Sequence, residues 1–363
     1  MARKLKFSPK INMPGPGLFD LDGDIAPSTP IPTPEATPIP DLNDPGLAGL
    51  DFTINIKAPG QQNRPSAEID RIAIDTARLN ATDSILFMSF GSGSSGNCSY
   101  IGDRNGGFLI DAGVDIDKVR DGLKANGLSL DHIKGVCLTH DHSDHVRYVY
   151  SLVRKRPSIG VYCTPKTLSG IMRRHSISRR LKDYHRPIYK EFAFQIGEFE
   201  ITAFDVSHDG TDNSGFFIRH GDNTMAVATD LGHISPRVDY YMRQARYIVI
   251  ESNYDSDMLA TGPYPMHLKA RIAADNGHMD NAATARFLAE IASPRLTHIF
   301  LCHLSQDNNT PDLALTAIRE ALLQSGITAI GDCSGSLEAR KCPMQLMVLP
   351  RFDATPLITL RHE

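Results

Sequence analysis

Hydrophobic and polar positions change texture near residue 84. From there on, strand-sized apolar runs alternate with helical stretches and polar turns. SILFMSF (84–90) and CSYIGDRNGGFLIDAG (98–113) read as strands, the latter broken into halves by a Gly/Asn turn. Asp117–Asn126 reads as a helix, with Asp115 or Asp117 near its start and Gly127 past its end. Ile133–Leu138 is a buried strand that runs straight into the polar string THDHSDH. Further strands are expected at Ile159–Cys163, Glu198–Asp205, Gly215–Arg219, Thr224–Thr229, Tyr247–Ile250, Thr297–Cys302 and Met344–Val348. Helices are expected at Leu168–Arg174, Asn281–Ile291 and Pro311–Leu323. This mixture is α/β (α+β), without an internal repeat.

Residues 1–80 are a different regime. Pro14, Pro16, Pro27, Pro30, Pro32, Pro34, Pro38 and Pro40 sit among Gly, Asp and Thr. Proline fixes φ and removes a backbone donor, so this stretch cannot hold a helix or a central strand. A Pro-rich disordered extension is expected over 1–80, with at most a short helix at 66–80, and a catalytic domain over 81–363. No apolar run approaches the roughly 20 residues a membrane-spanning helix needs. The basic N-terminus MARKLKFSPK is not followed by an apolar stretch, so no secretory signal is expected. The 6 cysteines form no C-x-x-C pair, which argues against a disulfide scaffold or zinc knuckle and for a cytoplasmic setting.

Formal net charge is −4, which alone disfavours a general nucleic-acid binder. Its distribution points the other way. Between Arg147 and Lys190, Asp183 is the only acid among twelve Lys or Arg residues. A cationic stretch inside an acidic chain marks a polyanionic partner or a solvated helical face. Arg173, Arg174, Arg179 and Arg180 are its candidate contacts to a nucleic-acid backbone.

The densest chemistry lies in THDHSDH, residues 139–145. His140, His142, Asp144 and His145 leave a buried strand and enter a loop where their side chains can converge. Imidazole and carboxylate together suit a borderline divalent ion, zinc first, with manganese or iron as alternatives. Three single residues share the same placement: His208, Asp230 and His303 each follow a predicted strand, where open α/β sheets build their sites. The glycine-rich loop Gly91–Asn97 lacks the GK[ST] ending of a P-loop and reads as a tight turn.

H-x-H-x-D-H followed by His, Asp and His at strand ends resembles the metallo-β-lactamase-fold superfamily. The strings FGSGSSGNCSYI, SHDGTDNSGF, ATDLGHIS, ESNYDSDML, GPYPMHLKARI and HLSQDNN resemble its bacterial WalJ/YycJ-type exonuclease group. Two features depart from that pattern: Arg147-Tyr148 stands where Gly-Gly often follows the motif, and the Pro-rich extension is not usual. The resemblance implies a four-layer αββα sandwich with two divalent metal ions. His140, His142 and His208 would hold one ion, Asp144, His145 and His303 the other, and Asp230 would bridge them. It further implies a metal-bridging hydroxide as nucleophile, with Asp144 as its orienter or base. His278 would be a proton donor to the leaving oxygen, steered by Glu251.

Three functions remain open at this level. One is a phosphodiesterase acting as a DNA exonuclease, favoured by the basic stretch and His278. A second is a small-molecule hydrolase of the same fold, for a thioester, lactone or cyclic nucleotide, favoured by the acidic remainder. The third is a metal-binding regulator without turnover. Oligomeric state is not readable.

Overall fold

The computed structural model describes residues 84–361. The extension expected at 1–80 and the short helix expected at 66–80 lie outside the described residues.

Fifteen strands, taken among the described residues, form two sheets. One contains β1 (Ser84–Gly91), β2 (Cys98–Asp103), β3 (Gly106–Ile110), β4 (Ile133–Cys137), β5 (Gly160–Cys163), β6 (His185–Pro187) and β15 (Ile358–Arg361), in the order β15-β1-β2-β3-β4-β5-β6. The other contains β7 (Ala193–Ile196), β8 (Phe199–Asp205), β9 (Ser214–His220), β10 (Asn223–Ala228), β11 (Tyr247–Glu251), β12 (His298–Cys302), β13 (Ile330–Gly331) and β14 (Met344–Val348), in the order β13-β14-β12-β11-β10-β9-β8-β7. Each sheet is antiparallel over part of its width and parallel over the rest: β3 to β6 run parallel, as do β10, β11, β12 and β14. Strands β4, β10, β11 and β12 therefore deliver their C-terminal ends in parallel sets. That is where the candidate site lies.

Nine helices are described: α1 (Ile116–Ala125), α2 (Ser143–Val146), α3 (Val149–Lys155), α4 (Pro165–Arg174), α5 (Pro236–Met242), α6 (Ser256–Thr261), α7 (Met266–Ile272), α8 (Asn281–Ile291) and α9 (Pro311–Gln324). Because side chains alternate along a strand, each sheet supplies two apolar faces. In β1, Ile85 and Phe87 enter an inner core with Phe199, Phe216 and Phe300 of the opposite sheet. Leu86, Met88 and Phe90 point the other way, to an outer core with Val119 and Leu123 of α1 and Ile171 of α4. In β11, Val249 faces inward, while Ile248 and Ile250 pack on Leu288 of α8 and Ile318 of α9. Two outer cores and one inner core make the αββα sandwich.

Element boundaries follow local caps. Asp115, not Asp117, caps α1, accepting from the Asp117 amide. Helix α4 begins at Pro165, three residues before the expected Leu168, because Thr164 accepts from the Thr167 amide and proline occupies the first turn. The short strands β6, β7, β13 and β15 and the helices α2, α3, α5, α6 and α7 were not foreseen; α2 puts Asp144 and His145 on a helical turn where a loop was expected.

Candidate metal centre

Five strand ends meet at one rim of the sandwich. Strand β4 leads into His140 and His142, with Asp144 and His145 on α2; β8 leads to His208, β10 to Asp230, and β12 to His303. Glu251 is the last residue of β11, and His278 precedes α8. Two turns here use left-handed backbone at non-glycine residues, His303 (φ 54°) and Asp111 (φ 62°). Such residues cost of order 1–3 kcal/mol and persist only where their surroundings fix them. His303 is fixed by its amide donating to Ser92 Oγ (2.9 Å) and its carbonyl accepting from Asn253 Nδ2 (2.7 Å).

Donor atoms converge in overlapping sets: His140 with His142 and His208, Asp144 with His145 and His303, and His140 with His145 and Asp230. His142 Nδ1 lies 3.3 Å from His208 Nε2. His145 Nε2 lies 3.1 Å from Asp230 Oδ2 and 3.5 Å from Asp144 Oδ2, and His303 Nε2 lies 3.6 Å from Asp144 Oδ2. Asp230 faces both groups, since its Oδ1 is 3.6 Å from His208 Nε2. At a Zn–N bond near 2.0–2.1 Å, two donors on one tetrahedral ion stand about 3.3–3.4 Å apart. The spacings fit that figure.

Unpaired atoms give a second test of fit. His140 Nε2, His303 Nε2 and Asp230 Oδ2 are buried without a hydrogen-bond partner. Leaving a buried polar atom unsatisfied costs about 1–3 kcal/mol, and a shared cation removes that cost for all three. The outer ring nitrogens are by contrast engaged. His145 Nδ1 donates to Asp111 (2.7 Å), His208 Nδ1 to the Gly277 carbonyl (2.9 Å), and His140 Nδ1 meets Thr139 Oγ1 (2.9 Å), whose hydroxyl donates to Asp111. Each contact leaves Nε2 turned inward, the usual arrangement around a ligand histidine.

Glu251 has a double task. Its Oε1 accepts from Nδ1 of His278 (2.7 Å) and from Nδ1 of His303 (2.8 Å), and its Oε2 accepts from the Leu231 and Met279 amides. A carboxylate with four donors has no lone pair to spare for an ion, although it lies within reach of one. It presents two imidazoles through Nε2. That of His303 is buried, whereas the His278 side chain keeps 21% exposure. One ring faces the donor cluster; the other opens toward solvent.

Electrostatics follow from this crowding. Burial opposes charge on His145 and His303, but the carboxylates Asp230, Asp111 and Asp144 around the first, and Asp230, Asp144 and Glu251 around the second, prevail. The His303 imidazole is raised to about 10. Burial and the neighbouring His145 push His140 well below the usual imidazole range. Asp144, despite burial, is held far below the usual carboxylate range by His145 and His303. Metal binding at such a cluster takes deprotonated imidazole and carboxylate donors, so it is coupled to proton release.

Several residues around the centre escaped the sequence reading. Asp111 anchors Thr139 and His145. Asn97, in the glycine-rich turn, reaches Asp144 Oδ2 (3.2 Å) through Nδ2. Asp209 Oδ1 lies 3.2 Å from His142 Nε2, while its other oxygen pairs with Arg271 (2.6 Å). Asp141 is buried and accepts from Thr211 Oγ1 (2.6 Å). Arg173, Arg174, Arg179 and Arg180 are exposed, on the end of α4 and the 3₁₀ turn after it. Of these, Arg174 reaches Asp141 (3.4 Å), which places this basic surface beside the metal-motif loop.

Comparison with known proteins agrees with this fold. Residues 107–299 match the family model described as the beta-lactamase superfamily domain. The chain belongs to the metallo-β-lactamase superfamily of metal-dependent hydrolases, in its YycJ/WalJ group. It is 32% identical over 246 residues to exodeoxyribonuclease YycJ of Bacillus anthracis, covering 66% of this chain and 90% of that protein. It is 30% identical over 237 residues to exodeoxyribonuclease WalJ of Streptococcus pneumoniae, covering 65% and 87%. In fold it is similar to the metallo-beta-lactamase fold protein YhfI from Bacillus subtilis, with TM-score 0.54 and 14% identity over 75% of this chain and 99% of that one. Among the described residues, no helix is long and apolar enough to cross a membrane.

Proposed function

We propose that the chain is a dinuclear metal-dependent phosphodiesterase that degrades DNA as an exonuclease. The observation that carries this reading is the His278–Glu251 pair at 2.7 Å beside the donor cluster. Phosphodiester cleavage expels an alkoxide, which needs a proton; thioester hydrolysis expels a thiolate, which depends less on one. The names of the similar exodeoxyribonucleases point the same way.

His140, His142 and His208 would hold one ion, Asp144, His145 and His303 the other, and Asp230 would bridge them, with zinc the first choice for a mixed imidazole–carboxylate set. When bound, such a pair of ions supplies hydroxide at neutral pH and polarises a phosphate. Asp144, steadied by Asn97, orients the attacking oxygen. As the new P–O bond forms and the old one breaks, the Nε2 proton of His278 passes to the leaving oxygen. Glu251 keeps that ring in position and stabilises its charge. Arg173, Arg174, Arg179 and Arg180 would lie along the DNA backbone.

The test is degradation of duplex DNA labelled at either end, with and without chelator. Progressive shortening that stops with chelator and returns with added metal is the expected result. Intact DNA beside rapid thioester or lactone hydrolysis would replace this reading with the small-molecule one.

Asp209 offers a narrower check. It sits outside His142, where it can take the Nε2–H and turn Nδ1 inward. Asp209→Ala is expected to weaken the binding of one of the two ions about 10–100-fold, the usual effect of losing such an outer partner. Chelator competition measures this without reference to activity. Wild-type affinity for both ions in the variant would exclude the role.

A further inference from the structure

A cleft of about 680 Å³ opens from His278 away from the donor cluster. It lies between the loop entering α5, the segment after α7 and the first turns of α8. Its floor is apolar, with Ile234, Met279, Ala283 and Phe287. Its charged lining is Asp239, Asp275, Asp280 and Glu290 with the single cation Arg286. Arg243 pairs with both Asp239 (2.7 Å) and Glu290, and Asp280 caps α8 by accepting from the Ala283 amide (2.6 Å). Arg286 is exposed and makes no ion pair with a described residue.

We infer that this cleft is a nucleotide subsite, which takes the nucleoside on the leaving side of the scissile phosphate with its base on the apolar floor and its next phosphate at Arg286. The inference rests on the phosphodiesterase reading above. His278 lines both the cleft and the donor cluster. A leaving oxygen protonated by His278 is therefore bonded to a group that extends into the cleft. A volume within the roughly 300–1,000 Å³ range, with the apolar Met279 and Phe287 set among polar groups that can hydrogen-bond a base edge, suits an aromatic base. One unneutralised guanidinium suits one further phosphate.

Two surface variants test this in the metal-loaded enzyme. Ala283→Trp narrows the floor, and Arg286→Ala removes the cation. The substrates are a short single-stranded oligodeoxynucleotide and bis(4-nitrophenyl) phosphate, which has no nucleoside. Ala283→Trp is expected to raise KM for the oligonucleotide about tenfold, the worth of one base contact, with less than a threefold change for the aryl diester. Arg286→Ala should flatten the salt dependence of kcat/KM for the oligonucleotide by about 0.7 in log–log slope, and Arg286→Lys should restore it. Parallel losses on both substrates would mean that the variants act through the donor cluster or the fold, and a fall in kcat on the oligonucleotide alone, without a rise in KM, would mean that they act through His278; either result would overturn the subsite. Unchanged oligonucleotide kinetics in both variants, with DNA still degraded by the wild type, would overturn the subsite alone. A wild type that cleaves the aryl diester but no DNA would remove the nuclease reading and the subsite together.

Discussion

His278→Ala is expected to slow hydrolysis of natural DNA by roughly 10²–10⁴-fold while both ions stay bound, which is the usual worth of a positioned general acid. Metal retention is expected because His278 spends Nδ1 on Glu251 and stands on the open side of the cluster. The loss should be much smaller on bis(4-nitrophenyl) phosphate, since a nitrophenolate departs without a proton. A pH signature accompanies it. Burial lowers the affinity of His278 for a proton, but the Glu251 carboxylate outweighs burial and raises its pKa. The acid form therefore persists above the ordinary imidazole value of about 6.5, and the rate on DNA should fall as pH rises through the elevated value. That descending limb should vanish in the variant. Equal losses on the two substrates, or an unchanged pH profile, would assign His278 a structural part and favour the small-molecule hydrolase.

The centre was legible in the sequence where a residue type and a strand end coincide. His140, His142, Asp144 and His145 are dense enough to stand out alone. His208, Asp230 and His303 stand out because each follows an apolar run, and a polar residue there must face a site or pay for burial. The same signal was available for Asp111, which follows the buried run Phe108–Ile110, yet nothing local separates an anchor from a ligand. Its partners, Thr139 and His145, lie 28 and 34 residues away. Asn97 and Asp209 have the same character, since their roles depend on contacts made only by the folded chain. In the fold, the long apolar strands were readable and the short edges were not. Strand β6 is His185–Pro187, with no buried residue, and α7 likewise buries none, so neither has an apolar pattern to read. Proline in β6 also argued against a strand, although edge strands tolerate it. The division into two sheets was not contained in any single run. It depends on which face of each strand packs inward, and β1 and β11 are apolar on both.

Asp230→Asn is expected to have the largest effect of any single replacement, lowering both metal content and turnover. Asp230 is the carboxylate that faces both donor sets: Oδ2 lies 3.1 Å from His145 Nε2 and Oδ1 3.6 Å from His208 Nε2. It is also 5% exposed, so water cannot replace it as a partner. Asparagine keeps the shape and removes the charge, which separates electrostatics from packing. Without that charge, two nearby cations would share one buried anion fewer and would lose the carboxylate oxygens that face both donor sets. Metal analysis of the purified variant should find one ion per chain or fewer, against about two in the wild type. Turnover on DNA should drop on the order of 10⁴-fold or more, because losing the ions returns the attacking water from a pKa of about 7 toward 15.7. His142→Ala is the comparison, since it touches the three-histidine set alone and should spare the ion held by Asp144, His145 and His303. Two tightly held ions in Asp230→Asn would show that the two sets do not depend on a shared carboxylate, and the bridged centre would have to be abandoned.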